Sequence, residues 1–346
     1  GSVELAERAG ARVVRVSERG YGRALGAGIR AARGRFVVMG DSDGSYDWSN
    51  VMPFLQLLRG GHDLVMGNRF RGSIEAGAMP FLHRYLGNPF LTGVGRRFFG
   101  SDCGDFYCGQ RGFSRAAALR MDLRANGMEF ALEMLVKATL LEMKVAEVPI
   151  TLSPDGRGRR SHLRTWRDGW RSLRFFLLYS PRWLFLYPGL ALMTIGLALG
   201  GWLVRGPQEL FGLHLDVHTL LYCSVAVSLG FQLATFFLFG KVLAIVSGLH
   251  PPEKTIDRAM QTVHLEHGLI AGAILIASGL YGSLRATLGW ARESFGDLDP
   301  FEVMRTTIPS ALLLTLGFQV VCASFYFSLL RMQWRERFAA RERLEA

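Results

Sequence analysis

The hydrophobic pattern splits the chain into two parts with different periods. In the first part, short apolar runs alternate with amphipathic stretches. Val3 to Ala9 reads as a helix, and Ala11-Arg-Val-Val-Arg-Val16 alternates with β-branched residues, which predicts a strand. Gly20 to Gly28 opens a helix that reaches about Ala32. Arg35 to Met39 is a short apolar run between turn signals, the pattern of a buried parallel strand. Trp48 to Leu58 is amphipathic and predicts a helix, and His62 to Gly67 predicts another buried strand. Strand and helix alternating at this spacing imply a doubly wound α/β sheet. Ligands of such sheets bind beyond the carboxyl ends of the strands, which places Asp41 and the residues after Gly67 in the crevice. Beyond it the pattern predicts a helix over Pro80 to Phe99, a loop and short strand over Asp105 to Ser114, a helix over Phe130 to Leu141 and a strand over Lys144 to Leu152. A basic loop, Ser153 to Thr165, follows.

The second part contains four runs with almost no charge: about Leu184 to Val204, Leu220 to Val246, Leu269 to Leu288 and Ile308 to Leu330. Each is long enough to cross roughly 30 Å of hydrocarbon. Buried helices of a water-soluble domain would carry charged faces every few residues, and these runs do not. The predicted organisation is therefore a cytoplasmic domain over residues 1–165, an interfacial amphipathic segment over 166–182, and a four-helix transmembrane domain with a basic tail over 183–346.

Charge sharpens that reading. The formal net charge is +11, which by itself fits either a nucleic-acid binder or a membrane protein with basic flanks. The densest basic stretch, Arg157 to Arg174, immediately precedes the first apolar run, and Arg331, Arg335, Arg337, Arg341 and Arg343 follow the last. That placement favours a membrane and no nucleic acid. The loop between the second and third runs holds Lys254 and Arg258, whereas the other two loops balance Arg with Asp and Glu, so both termini are expected on the cytoplasmic side. The four cysteines, Cys103, Cys108, Cys223 and Cys322, have no CxxC spacing, which suits a reducing compartment and gives no zinc site.

The sharpest chemical feature is Asp41-Ser-Asp43, directly after a predicted buried strand. Two carboxylates two residues apart can share a hard divalent cation that also binds diphosphate oxygens; the plainer reading is an Asp-rich turn. Three arginines, Arg69, Arg84 and Arg111, stand among small or polar neighbours, and Arg holds its charge at any working pH. They could converge on one anion, or each could be a solvated surface residue. Glu129 and Glu133 share a helix face, where they either form an acid pair or pack the helix.

Six segments in order then resemble family 2 glycosyltransferases, and most closely the polyprenyl-phosphate transferases similar to dolichol-phosphate mannose or glucose synthases. They are Gly22 to Gly28, Gly40-Asp-Ser-Asp-Gly-Ser-Tyr-Asp47, Gly67-Asn-Arg-Phe70, Gly77 to Asn88, Asp105-Phe-Tyr-Cys-Gly-Gln-Arg-Gly-Phe113 and Gly127-Met-Glu-Phe130. The resemblance covers about Gly1 to Pro181. It implies a GT-A fold, a bound Mg2+ or Mn2+, inversion at the anomeric carbon, a nucleotide-sugar donor such as UDP-glucose or GDP-mannose, and a dolichol or undecaprenyl phosphate acceptor. By position, Asp41 and Asp43 would bind metal and diphosphate, with Ser45 where the family often has Gln. Gly22 and Gly26 would lie in a helix start beneath the nucleotide. Arg69, Arg84, Asn88 and Arg111 would hold phosphates, and Asp43 with Asp105 would stand at the reaction centre. Arg157 and Arg159 would belong to a loop closing over the phosphates.

Family members begin with a strand carrying a Pro-x-x-Asn-Glu motif and a second strand ending in an Asp-rich turn. The resemblance implies that roughly 35 to 45 such residues are lacking before Gly1, by the length of an α/β unit, and hence weak donor binding by the chain as given. A bacterial cytoplasmic membrane is the expected location, with a homo-oligomer left open. Two other readings are a processive polysaccharide synthase, whose Gln-x-x-Arg-Trp motif is missing around Arg182-Trp183, and a non-catalytic scaffold with a degenerate transferase domain.

Overall fold

The computed structural model describes residues 1–156 and 165–345, with side chains for residues 1–156 and 166–336. It has two compact units, Gly1–Tyr179 and Ser180–Ala346. The first contains α1 (Ser2–Arg8), α2 (Tyr21–Ala31), β1 (Phe36–Met39), α3 (Met52–Arg59), β2 (Leu64–Ile74), α4 (Asn88–Phe99), β3 (Arg111–Ser114), α5 (Arg115–Met121), α6 (Glu129–Leu140), β4 (Val145–Leu152) and α7 (Thr165–Tyr179).

The sheet order is β1-β3-β2-β4. β2 and β4 run parallel, whereas β3 is antiparallel to both of its neighbours. The α/β architecture is as expected, but the sheet is mixed. This reversal positions the site. A reversed strand is entered from the end where β1 finishes, so the segment Cys103 to Gln110 lies at the carboxyl end of β1 and beside Gly67 to Arg69 in the middle of β2. Gly67 N donates to the Gln110 carbonyl at 2.9 Å there.

The expected strand over Ala11 to Val16 does not form: among the described residues no strand pairs with it, and Val14 and Val16 are exposed. An alternating sequence is a strand only when a neighbour supplies the ladder.

The period of two along β2 sends Leu64 and Met66 to one face of the sheet and Val65 to the other. The first face packs on Phe106, Phe113, Phe130, Met134 and Leu135, the second on Phe54, Leu58, Val148 and Ile150. α7 is amphipathic. Phe175 and Phe176 enter the first core, with the Phe176 ring 5.9 Å from that of Phe106, while Trp166, Trp170 and Leu178 are exposed. In α6 the buried Glu133 pairs with Lys137 at 2.9 Å and accepts from Arg124 N, Ala125 N and the Tyr179 hydroxyl. It is a clasp between α6, the preceding loop and α7, which decides for packing over acid chemistry.

In the second unit, four helical spans are long and apolar enough to cross a membrane: Arg182–Leu203, Val217–Val246, Leu265–Arg292 and Pro300–Glu336. The shortest has 22 residues, about 33 Å at the α-helical rise. They comprise α8 (Tyr187–Leu203), α9 (Val217–Val246), α11 (Leu265–Arg292) and α12 (Pro300–Glu345), with α10 (Lys254–Thr262) before α11. A π-helical turn, Arg182–Leu186, precedes α8, and another, His83–Gly87, precedes α4. Each lies just before a proline near its helix start, Pro188 or Pro89, whose nitrogen cannot donate to the preceding turn. The stretch expected as plain loop between the first two spans holds a hairpin, β5 (Gln208–Leu210) and β6 (Leu213–Leu215), turning on Phe211-Gly212.

Small residues let the spans approach, as is usual where lipid offers no hydrophobic drive. Gly196 of α8 faces Cys223 and Val227 of α9, and Gly272 of α11 faces Gly317 and Val321 of α12. Ion pairs join the ends. Arg305 donates to the Leu203 carbonyl and pairs with Asp216, while the buried Lys241 pairs with Glu253, which also holds Arg182 at 3.2 Å. A Cβ on Gly272 would stand 2.6 Å from Val321 Cγ2. Gly272→Leu is therefore expected to cost about 1–3 kcal/mol by overpacking and to lower the thermal midpoint in detergent. Gly289→Leu, where nothing lies within 4 Å, should leave the midpoint unchanged.

Candidate active site

β1 ends at Met39 and the chain turns through Asp41 to Tyr46. Gly44 has φ +81°, the left-handed region that glycine adopts without a Cβ penalty. The turn is braced locally: Ser45 donates to Asp43 Oδ1 from both its hydroxyl, at 2.5 Å, and its backbone N–H, at 3.1 Å. It is also tied to the chain after β4, because Gly156 N donates to the Asp43 carbonyl and Ser153 N to that of Ser45. Ser45 is buried with its hydroxyl spent on Asp43, so it orients that carboxylate.

The approach to β3 meets this turn from the other side. Gly109 N donates to the Tyr46 hydroxyl at 2.9 Å. A Cβ on Gly109 would lie 2.7 Å from Asp41 Oδ2 and 3.0 Å from the Tyr46 hydroxyl, so only glycine permits the contact. Burial raises the Tyr46 pKa, and Cys108 adds to the rise. Burial likewise pushes the Cys108 thiol up to about 12; it stays neutral at working pH and is no nucleophile.

Next to this lies a buried ion pair. Arg69 donates through Nε to Asp105 Oδ2 at 2.7 Å and through Nη2 to Oδ1 at 2.8 Å, and its backbone N–H adds a third bond at 3.2 Å. Asp105 is fully buried and Arg69 nearly so. Burial opposes the guanidinium charge, but the bonds to Asp105 outweigh it and hold its pKa above the ordinary value. Asp105, expected at the reaction centre, has both oxygens committed to Arg69 and no exposed surface. It positions the arginine.

Glu147 and Asn68 set up that pair, and sequence reasoning missed both roles. Glu147 accepts from Gly104 N at 2.6 Å, the Cys103 thiol at 3.2 Å and Asn68 Nδ2 at 3.0 Å. Asn68 Oδ1 accepts from Phe70 N and Arg71 N, both at 2.9 Å. The β2–β4 register shifts between Asn68 and Ser73, a bulge that re-aims the strand at Arg69. The available signal was a single Glu within the otherwise apolar run Val145-Ala-Glu-Val148.

Arg111 corrects an expectation. It is fully buried and donates to the carbonyls of Cys108 at 2.9 Å, Phe106 at 3.0 Å and Ala131. Its donors are used on the protein's own backbone, shaping the segment that carries Asp105 and Gly109, and it does not present itself to a phosphate. Gly22 is a close-packed position, whereas Gly26 has room for a Cβ in ordinary contact. A Cβ on Gly22 would meet the Ala125 carbonyl at 2.1 Å, and one on Gly26 would touch Arg30 and Phe130. Arg84 donates to the Ile74 carbonyl at 3.5 Å and lies over the Tyr85 ring, and Asn88 approaches Met79 Sδ. Those contacts place both near the end of β2, with no hydrogen bond to the Asp41–Arg69 cluster among the described residues. Arg157 and Arg159 lie outside the described residues.

Among the described residues, no group of three His, Cys, Asp or Glu side chains is placed to hold a metal ion. The two carboxylates of the β1 turn still suit Mg2+ or Mn2+, since such ions take one or two carboxylates and fill the octahedron with substrate phosphates and water.

A mixed α/β sheet with acidic residues at a strand end, joined in sequence to four apolar spans, defines a membrane protein with a GT-A-like transferase domain. The chain belongs to glycosyltransferase family 2. Residues 1–120 match the model of glycosyl transferase family 2, and residues 238–331 match that of the glycosyltransferase family 2 C-terminal transmembrane region. Over 325 residues it is 35% identical to the low-salt glycan biosynthesis hexosyltransferase Agl6 of Haloferax volcanii, covering 93% of this chain and 76% of that one. It is 31% identical over 147 residues to a dolichyl-phosphate hexose transferase of the same organism, covering 42% of this chain and 63% of the other. Its fold also bears a distant likeness, at TM-score 0.37 and 22% identity, to glucosyl-3-phosphoglycerate synthase of Mycobacterium tuberculosis, over 51% of this chain and 64% of that one. The Haloferax relatives are archaeal, so the expected bacterial setting gains no support from them.

Two substitutions test the geometry. Asp105→Ala leaves Arg69 buried without its partner and should cost about 3–5 kcal/mol, read as a lowered unfolding midpoint. Gly109→Ala pushes a methyl into the Asp41 carboxylate and the buried Tyr46 ring and should cost about 1–3 kcal/mol by overpacking, read as a lowered unfolding midpoint.

Proposed function

We propose that this protein transfers a hexose from a nucleotide-sugar to a polyprenyl phosphate, with inversion, at the cytoplasmic face of a membrane. The observation that carries the reading is the meeting of the Asp41–Asp43 turn with the segment bearing Gly109 and the buried Arg69–Asp105 pair. A divalent cation bound by Asp41 and Asp43 would supply positive charge for the departing diphosphate. Ser45 and the backbone of Gly156 hold Asp43 in place for that task. Arg69 and Asp105, neutral as a pair, hold the chain beside the turn in a fixed shape.

A phosphate monoester is largely dianionic at neutral pH, so the acceptor oxygen needs no general base. Inversion follows if one displacement suffices. Asp105 is committed to Arg69, and Cys108 is held neutral, so neither offers itself as a covalent nucleophile. The relatives' names agree with hexose transfer and with a dolichyl phosphate. A role at the bilayer is supported by the four spans and by exposed aromatic residues of the first unit, Trp166 and Trp170 on α7 and Phe81, Tyr85 and Phe90 before and within α4. The basic flanks of the spans support a cytoplasmic catalytic domain. UDP-glucose and GDP-mannose remain the two donors to compare.

The reading is tested by radiolabel transfer to undecaprenyl or dolichyl phosphate in membranes containing the protein, with each donor and with or without Mg2+ or Mn2+. Metal-dependent transfer that falls at least a hundredfold in Asp43→Ala is expected, the scale of removing a group that stabilises transition-state charge. Transfer that persists in Asp43→Ala overturns the mechanism.

A further inference from the structure

The membrane unit contains a fissure that none of these roles uses. It is a cavity of about 360 Å³ between α9, α12 and the start of α11, walled by Phe231, Leu238, Phe239, Val320 and Phe327. A second cavity of about 280 Å³, lined by Gln232, Phe236, Gln319 and Tyr326, shares Phe231, Thr235, Phe239 and Ala323 with it. α9 and α12 run in the same direction: Gln232 meets Gln319, Phe239 meets Tyr326 with ring centroids 4.5 Å apart, and Val242 and Ile245 cluster with Leu330 and Trp334. From Val320 to Arg331 the first cavity therefore extends about 16 Å along α12, eleven residues at the helical rise.

Its two ends differ in chemistry. Beyond the end away from Arg331 the groups are neutral: Gln319 Nε2 donates to Gln232 Oε1 at 3.2 Å and to Ser228 Oγ at 3.3 Å. The other end is cationic. Arg331 donates to the carbonyls of Val263 and Gln261, both at 3.3 Å, and its Nη1 lies 3.1 Å from His264 Nδ1. Its Nε is buried with no hydrogen-bond partner. No carboxylate pairs with Arg331 among the described residues. A guanidinium at the mouth of an apolar channel in a membrane unit is costly without an anion, and its fork of donors matches a phosphate.

We propose that this fissure binds a polyprenyl phosphate, with the isoprenoid chain between α9 and α12 and the phosphate at Arg331 and His264. The proposal rests on the transfer reading, which makes such a lipid the acceptor. The transfer reading, whose acceptor carries a single chain, selects it over a diacyl phospholipid. In a bilayer the chain itself gains little from leaving lipid, so the phosphate supplies the discrimination.

Native mass spectrometry of the full chain tests this with undecaprenyl phosphate, undecaprenol and dioleoyl phosphatidic acid as probes. Undecaprenyl phosphate should bind, undecaprenol should bind at least tenfold more weakly, and Arg331→Gln should lower the affinity for the phosphate about tenfold, the loss of one charge-assisted interaction. Ala323→Trp, which fills the fissure, should do the same, and Gly289→Leu, outside the fissure, should bind as the parent does. If either fissure variant unfolds at a lower temperature than the parent, Arg331→Lys, which keeps charge without the fork, replaces it and should show an intermediate loss. Parent-like binding by the fissure variants, or phosphatidic acid binding as tightly as undecaprenyl phosphate, overturns the proposal. Binding is read without catalysis, so Arg331-dependent binding with no transfer from any donor counts against the reaction and leaves the site standing.

Discussion

The site is organised around the Arg69–Asp105 pair. Both residues are desolvated, and a pair of this kind persists only when each charge has its partner and the remaining hydrogen-bonding capacity is satisfied. Here the fork of Arg69 takes both Asp105 oxygens, and the Arg69 and Tyr107 backbone N–H groups complete the carboxylate's shell. The requirement propagates outward. Asp105 must be delivered to Arg69 in the middle of β2, which needs the preceding loop anchored by Glu147, and Arg69 must turn inward, which needs the bulge capped by Asn68. One buried charge thus fixes the path of two chain segments, and the Asp41–Asp43 turn docks on the result through Gly109 and Tyr46.

Arg111 has a related part. Three backbone carbonyls around one guanidinium give a rigid, fully satisfied knot under the same loop. An arginine on a strand of a phosphate-binding enzyme invites a catalytic assignment, yet its chemistry is equally suited to gathering carbonyls that no N–H reaches. Exposure separates the two uses, and exposure is a property of the folded chain.

The membrane unit solves a different problem with the same devices. Close-packed glycines bring the spans together in pairs, α8 with α9 and α11 with α12. Ion pairs then staple the ends, Arg305 with Asp216 and Lys241 with Glu253 and Arg182. Where the packing opens, between α9 and α12, the wall is aromatic and apolar and a cation sits at the mouth.

Much of this was legible in the residues. Local periodicity placed β1, β4 and the principal helices to within a few residues, because burial on one face or both leaves its mark on neighbouring positions; it found the start of β2 but not its exposed continuation from Phe70 to Ile74. Unbroken apolar length identified the four spans, since a bilayer accepts little else. Six ordered motifs identified the family, and the placement of Asp41 and Asp43 after a buried strand followed from chain order alone. What the residues could not decide was partnership across long sequence separations. The reversal of β3, the failure of Ala11 to Val16 to join the sheet, the inward turn of Arg111, the pairing of Asp105 with Arg69 and the supporting role of Glu147 all depend on which distant group arrives opposite. A side chain's type states which bonds it can make; only the tertiary structure determines whether a ligand, a carbonyl or another charge is there to make them.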